Sequence, residues 1–502
     1  MAAKKTSDGL ARPAISRTRE RADNRLAWRA GLLAAFAAAA LGVWLLRAPL
    51  HAMPLERDEG AYAVIARDWL DGFVPYRDRF DHKPPFVYAA YAPPALAADP
   101  VVAIRRWASA WLIATMAAAW WAGARFWRSG AAGLVAAILV GAWGSGIMAQ
   151  GITFNTEAIM LLPAVLALGA SVLAFGETRH PRLALLASGA LLALAALGKP
   201  VGVLLAPAVL LAPLLAGDTW RRRAADLGLV LAGVALVLGP LVIYFAAKGA
   251  LDDAVTALWD YNLRYASDSA QQNPQGLIAT LWPVWRPFWP LAALAVVGGL
   301  AASPKKGRWR PVTVALLWSA GLIGGAVASL RPYPHYYLAA VPALAVWAGG
   351  IGALPFTRWR AANAGLAVAA ALALCLPPAA TLRPFRAEAP AAQIARLYGV
   401  DGRAFFANAP KVSQWITANV GPDASVWVWA AEPQIYLIGG FAVPARFPYD
   451  YPLALLPGAR AETLAALASA PPEVIVTYGD VFPEGLGGLT LAHGYEVRAR
   501  FD

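Results

Sequence analysis

Most of the first 380 residues of this chain are hydrophobic, and one stretch breaks the pattern: Glu56 to Pro85, ERDEGAYAVIARDWLDGFVPYRDRFDHKPP. An acidic pair, Asp58 and Glu59, stands near its start, and Asp81-His82-Lys83 runs into Pro84-Pro85 at its end. Carboxylates act as general bases or hold a divalent cation, while lysine and arginine hold phosphate oxygens. The same residue types recur singly further on: Arg105 and Arg106, Asn155 and Glu157, Lys199, and Arg331, His335, Tyr336 and Tyr337 in RPYPHYYL. No serine triad, nucleotide-binding loop or HExxH motif accompanies them. A base plus an anion clamp suits transfer from a phosphate-linked lipid, with the phosphate as leaving group.

The elements that must position these residues are membrane helices. Of 502 residues, 59% are hydrophobic and only 15% charged, against about 25% charged in soluble domains. The mean hydropathy is +0.50. Apolar runs near 20 residues predict about eleven spans, at roughly 28–47, 101–122, 131–149, 156–175, 183–198, 201–216, 226–247, 284–302, 311–330, 336–352 and 361–379. The pair flanking Gly198-Lys199-Pro200 is short enough to read also as a re-entrant hairpin. The net charge of +13 lies in small clusters between runs. Arg125 and Arg128, Arg179 and Arg182, Arg221-Arg222-Arg223, Lys305 to Arg310, and Arg358 and Arg360 fall on every second connection. That alternation sets topology and leaves no basic stripe for nucleic acid. It puts the N-terminus in the cytoplasm and the C-terminus outside. Residues 1–28 read as a disordered, basic cytoplasmic tail, and the first apolar run as a retained helix with no cleavage site after it. Cys375 is the only cysteine, which excludes internal disulfides and cysteine-based metal sites.

Three outer segments exceed simple turns: 48–100, 248–283 and 381–502. In the first, Asp58, Tyr62, Ile65 and Trp69 share one helical face, which predicts an amphipathic helix along the bilayer interface. Pro84-Pro85 suits the start of a second helix over Phe86 to Tyr91. Trp259, Tyr261, Tyr265, Trp282 and Trp285 read as an interfacial aromatic belt. From about 381, β-rich Ser425–Trp429 and Glu473–Tyr478 alternate with helical Ala391–Tyr398, Lys411–Val420 and Ala461–Ala468, predicting a small outer α/β domain. On this topology the unusual polar residues share one side of the membrane. Ionisable groups at that depth are costly and face a cavity or a partner.

DEGAYA after the first helix, FDHKPP later in the same loop, an acidic residue opening the fourth helix, and PHYYL together resemble the GT-C glycosyltransferases. Within them the chain is similar to the bacterial protein O-mannosyltransferase-like family, which includes the lipid A aminoarabinose transferases. The resemblance covers roughly residues 30–380. It implies a sugar donor on a polyprenyl phosphate, transfer with inversion, and an acceptor that is a lipid, glycan or protein. It assigns Asp58 as the carboxylate that deprotonates or orients the acceptor, Glu59 as its pair, and Lys83 as the phosphate contact. Glu157 follows as the second carboxylate, and Arg105, Arg106 and His335 as further phosphate contacts. Tyr62, Asp81, His82, Asn155 and Tyr336 become substrate-lining. A divalent metal is compatible with the carboxylates, but no ligand set is implied. The alanine-rich, cysteine-poor composition suggests a bacterial inner membrane and hence undecaprenyl phosphate.

Each assignment has a structural alternative. Asp58 is also a favoured N-cap type. Glu157 is a candidate buried partner for Arg105 or Arg106, and Lys199-Pro200 reads as a turn and interface anchor. A transporter or flippase of lipid-linked sugars is the competing function; it would favour internal repeats and mid-membrane polar sites, neither of which is evident. A scaffold built on the outer domain would need neither Asp58 nor Lys83.

Overall fold

The protein is described here by a computed structural model covering residues 12–176, 180–272, 282, 285–301, 308–328, 333–354, 360–478 and 485–501. Arg331, Arg179, Lys305, Lys306 and Arg358, which carried part of the topology and site expectations, lie outside the described residues.

Helices dominate. The first nine are α1 (Arg12–Arg47), α2 (Arg57–Leu70), α3 (Pro85–Ala95), α4 (Pro100–Trp127), α5 (Gly130–Ser145), α6 (Thr156–Leu173), α7 (Pro181–Gly198), α8 (Ala206–Ala216) and α9 (Trp220–Ala247). The basic segment from Arg12 to Trp28 continues α1, so that part of the expected disordered tail is helical. Eight described helices are long and apolar enough to cross a membrane, and three shorter apolar ones, Gly130–Ser145, Pro200–Ala216 and Arg286–Leu300, fall where the remaining spans are expected. Around Lys199 the chain forms two consecutive helices, α7 and a 3-10 turn (Pro200–Leu205) leading into α8.

Local chemistry explains the boundaries. Pro100 and Pro181 sit in the first turn of their helices, where a missing N–H costs nothing. Asp99 and Ser129 cap α4 and α5 by accepting from Val102 and Ala132 N–H. Small residues then let helices approach closely, as expected where apolar burial alone gives no helix–helix preference. A Cβ at Gly189 of α7 would stand 1.9 Å from the Val230 carbonyl oxygen of α9.

The C-terminal segment carries a two-stranded parallel sheet, β1 (Val426–Trp429) beside β2 (Val474–Thr477), with Val426 opposite Val474. Helices Ala409–Asn419 and Ala459–Ser469 share its buried cluster through Val412, Ile416 and Leu467, whereas Pro390–Tyr398 packs through Ile394 and Leu397 into a separate cluster with Leu50, Met53 and Phe385. Its core is continuous with the loop over 48–100: Tyr62, Val64, Phe80, Trp427, Tyr436 and Phe447 belong to one buried cluster, apart from the core of the helical bundle. Helix α2 is therefore not an exposed amphipathic helix. Its polar side is covered by the C-terminal segment, with Arg67 donating to the Tyr436 and Phe441 carbonyls. Arg79 pairs with Asp68 at 2.5 Å while reaching the Val443 carbonyl. The sequence pattern distinguishes a polar face from an apolar one, but not water from a second protein layer.

Candidate active site

Glu56 caps α2, not Asp58. Its carboxylate accepts from the Asp58 and Glu59 N–H groups at 3.0 and 3.1 Å, and the Glu59 carboxylate returns a bond to Glu56 N–H at 3.2 Å. This reciprocal box satisfies the open amides of the first turn. Asp58 is thereby left half-exposed, its carboxylate accepting one hydrogen bond, from Tyr62 Oη at 3.1 Å. Tyr62 is buried, and its ring faces Lys83 Nζ at 5.9 Å.

Glu59 turns the other way. It is fully buried, paired with Arg105, and accepts from Phe154 N–H at 2.8 Å. Arg105 is buried as completely, and its remaining nitrogens donate to the Met53 and Pro54 carbonyls at 3.1 and 2.5 Å. All three guanidinium nitrogens are thus committed within the chain, which corrects the expectation that Arg105 contacts a phosphate. Glu59 likewise faces a structural partner instead of the open side of the loop. Arg106, one residue on, is exposed on α4 beside His51. A second buried arginine, Arg47 at the end of α1, bonds Ser109 and the Gly151 and Ile152 carbonyls. Together these contacts fasten the first loop to α4 and to the turn before α6.

Lys83 is held from behind. Its carbonyl accepts from Tyr76 and Tyr88 hydroxyls at 2.8 and 3.0 Å. Asp81 is buried and accepts from Tyr449 at 2.7 Å, Tyr88 at 3.1 Å and the His82 N–H at 2.6 Å. The His82 ring packs at a tilt against Tyr261 and Tyr265, and its carbonyl accepts from Asn262. Of the expected aromatic belt, Tyr261 and Tyr265 therefore turn inward, while Trp259 and Trp282 stay exposed. The Lys83 ammonium lies 2.6 Å from His82 Nε2. A charged lysine must donate there, which leaves the ring proton on Nδ1, 3.1 Å from Asp81 Oδ1 in a contact poorly aligned for a full hydrogen bond. Burial, then the Lys83 charge, pushes the His82 ring below its ordinary value. Burial alone would raise Asp81; contact with His82 and the charge of Lys83 carry it below the usual carboxylate range instead. Burial also opposes the Lys83 charge, but the carboxylates of Asp58 and Asp81 outweigh it and hold the ammonium above the ordinary lysine value.

A second group closes the site. Glu157, in the first turn of α6, is buried and paired with Lys199, whose ammonium sits 3.6 Å over the Tyr336 ring. The Glu157 partner is thus Lys199, neither Arg105 nor Arg106, and Lys199 is more than an interface anchor. His335 contacts Gln150 Oε1 through Nδ1 at 3.1 Å and packs edge-on against Tyr336. The charges of Glu157, Lys199, Asp58 and Lys83 all act on the His335 ring. Asn155 donates to Thr153 at 3.2 Å, and its buried Oδ1 has no partner among the described residues. A narrow apolar cavity lined by Trp111, Leu112, Ala158, Leu161, Leu338 and Pro342 adjoins the segment that carries Glu157. Among the described residues no three His, Cys, Asp or Glu side chains gather as a metal site.

Sequence reasoning took Lys199 for a turn and interface anchor, and missed Gln150 and the tyrosines behind Asp81. One signal was present: Lys83 precedes Pro84, the N-cap of α3, and Lys199 precedes Pro200, the first residue of the 3-10 turn, so each lysine stands before a proline at a helix entrance. Tyr449, 368 residues from Asp81, had none.

No protein-family model matches the sequence, and no curated protein matches it. Solved structures do. The chain is similar to ArnT from Cupriavidus metallidurans bound to undecaprenyl phosphate, with a TM-score of 0.54, 16% identity, and coverage of 82% of this chain and 85% of that one. The apo form of the same protein gives 0.54 and 15%, covering 83% and 85%. The Archaeoglobus fulgidus oligosaccharyltransferase, in complex with zinc and sulfate, gives 0.52 and 14%, covering 81% of this chain and 62% of that one. These identities are low and the shared architecture extends over most of the chain: the fold is that of the GT-C membrane glycosyltransferases.

Proposed function

We propose that this protein is a membrane glycosyltransferase that moves a sugar from a polyprenyl-phosphate donor to a lipid, glycan or protein acceptor on the outer face of a bacterial inner membrane. The observation that carries the reading is the convergence of two lysines and two carboxylates from four separate segments. Lys199 pairs directly with Glu157, Lys83 and Asp58 meet across Tyr62, and each lysine feels the charges of both Asp58 and Glu157. Lys83 and Lys199 supply positive charge for a lipid phosphate and stabilise it as the sugar leaves. Asp58, half-exposed and lightly bonded, deprotonates or orients the acceptor hydroxyl or amine, and displacement opposite the phosphate inverts the anomeric carbon. Glu157 sets the direction of Lys199, and Asn155 Oδ1 has acceptor capacity for a substrate hydroxyl. The working division is a tail to residue 28, a catalytic bundle over 29–380 that includes loop 48–100, and an outer domain over 381–502. The N-terminus is cytoplasmic and the outer domain periplasmic.

The test is transfer in proteoliposomes from polyprenyl-phosphate sugars extracted from the native host. Asp58→Asn should insert normally, bind undecaprenyl phosphate and transfer sugar at least about 100-fold more slowly; full transfer by that variant removes the assignment.

A further inference from the structure

Helix α2 is gripped on both sides of Asp58, and the two grips come from different parts of the chain. Successive helical residues project about 100° apart, so Arg57 and Glu59 leave the first turn in divergent directions with Asp58 between them. Glu59 enters the helical bundle through Arg105 and the Phe154 amide. Arg57 enters the C-terminal segment. Its guanidinium bonds the Tyr451 hydroxyl and pairs with Asp401 at 3.4 Å and with Glu432 at 3.5 Å. It also lies over the Phe406 ring, 5.0 Å from its centre. The stretch that supplies Glu432 docks on the same turn again two residues later. A Cβ on Gly60 would stand 2.5 Å from the Gln434 nitrogen, so backbone meets backbone there. Glu432 is buried and Asp401 exposed, which makes Glu432 the ion-pair partner screened least by water.

We propose that Arg57, latched by Glu432 and Tyr451, is a positioning residue through which the C-terminal segment aims the Asp58 carboxylate into the lysine site. This rests on the glycosyltransferase reading and assigns the C-terminal segment a part in the chemical step without a substrate contact. Burial pushes the Glu432 carboxyl up to about 7 despite the pull of Arg57, with Tyr478, Asp450 and Asp401 as its other titratable neighbours. A carboxylate kept in such surroundings implies that the Arg57 contact offsets part of the burial cost.

The experiment uses the full-length protein in proteoliposomes, with Arg57→Gln, Glu432→Gln, the double variant, and Tyr451→Phe as a milder change. Three quantities are read: undecaprenyl phosphate affinity, single-turnover transfer from host-extracted polyprenyl-phosphate sugars, and deuterium uptake of the peptide spanning residues 56–62. Each of the two charge variants is expected to slow transfer about tenfold, since small misplacements of a reacting group are expensive. Undecaprenyl phosphate affinity should stay within about twofold, because Arg57 touches no donor-facing group. The double variant should lose no more than the worse single, as for two ends of one contact, and uptake at 56–62 should rise. Unchanged transfer and uptake in Glu432→Gln overturns the latch, as does a loss of rate that only tracks lost phosphate binding. If the wild type transfers nothing, the glycosyltransferase reading fails by itself, and uptake at 56–62 still decides whether the latch exists.

Discussion

Two adjacent carboxylates should respond to the same change in opposite ways. Asp58→Asn alters a half-exposed group with one hydrogen bond to Tyr62. The asparagine oxygen can still accept it, so stability should move by about 1 kcal/mol or less. Transfer should fall by about 10²–10⁴, the range for a missing general base. Glu59→Gln alters a group with no exposure whose partner, Arg105, has none either. The glutamine oxygen can still receive the Phe154 N–H, but the guanidinium loses its counter-charge. Removing one member of a buried pair costs about 3–5 kcal/mol, and here the buried Arg47 nearby adds a second uncompensated cation. Thermal unfolding in detergent micelles, followed by tryptophan fluorescence, should show Glu59→Gln melting several degrees below wild type and Asp58→Asn melting with it. The folded fraction of Glu59→Gln, isolated by size exclusion, should retain transfer within about threefold. A Glu59→Gln protein with wild-type melting and abolished transfer refutes the structural assignment and returns Glu59 to the chemistry.

Lys83→Met should weaken undecaprenyl phosphate binding by roughly 10- to 100-fold, the worth of a charge-assisted hydrogen bond, measured by ligand-dependent thermal shift; unchanged affinity would remove Lys83 from the phosphate site. Glu157→Gln releases Lys199, so donor affinity should hold or tighten while transfer slows, whereas Lys199→Gln should weaken affinity; single-turnover kinetics separates the two. Gly60→Ala forces a Cβ into the Gln434 backbone, an overpacking cost of about 1–3 kcal/mol, and should hasten proteolytic release of the C-terminal segment. Glu432 holds its proton up to about 7 in the fold against an ordinary 4.5. The folded state therefore binds more protons between these values, and that contribution to stability is full below 4.5 and lost as pH rises through 7. Glu432→Gln should flatten that part of the melting-temperature profile.

Much of the architecture was legible because the bilayer imposes it locally. Each apolar run expected to span falls on an apolar helical segment, and the strands expected at Ser425–Trp429 and Glu473–Tyr478 are observed at Val426–Trp429 and Val474–Thr477. The candidate residues were legible as types, since Asp58, Lys83, Glu157, His335 and Tyr336 stand out in an apolar chain. Their pairing was not. Glu59 meets Arg105 across 46 positions, Glu157 meets Lys199 across 42, and Arg57 meets Glu432 across 375. Periodicity reports which face of a helix is polar; it says nothing of which distant charge will neutralise it. That is why Glu59 and Arg105 read as chemistry when the fold spends them on each other, and why Lys199 read as an anchor.

The arrangement of Arg57, Asp58 and Glu59 also bears on how the chain can change in length. These three consecutive residues each answer to a different part of the molecule, and a helix offers no slack between neighbours. Inserting or deleting one residue among them turns everything beyond by about 100°, so no substitution on one side can restore all three directions. Side chains in this turn can be exchanged singly at graded cost, whereas its length cannot. Among single-residue insertions across the loop over 48–100, those at 57–59 should be tolerated least, and any lineage of related chains that lengthens this loop must do so after the turn has closed.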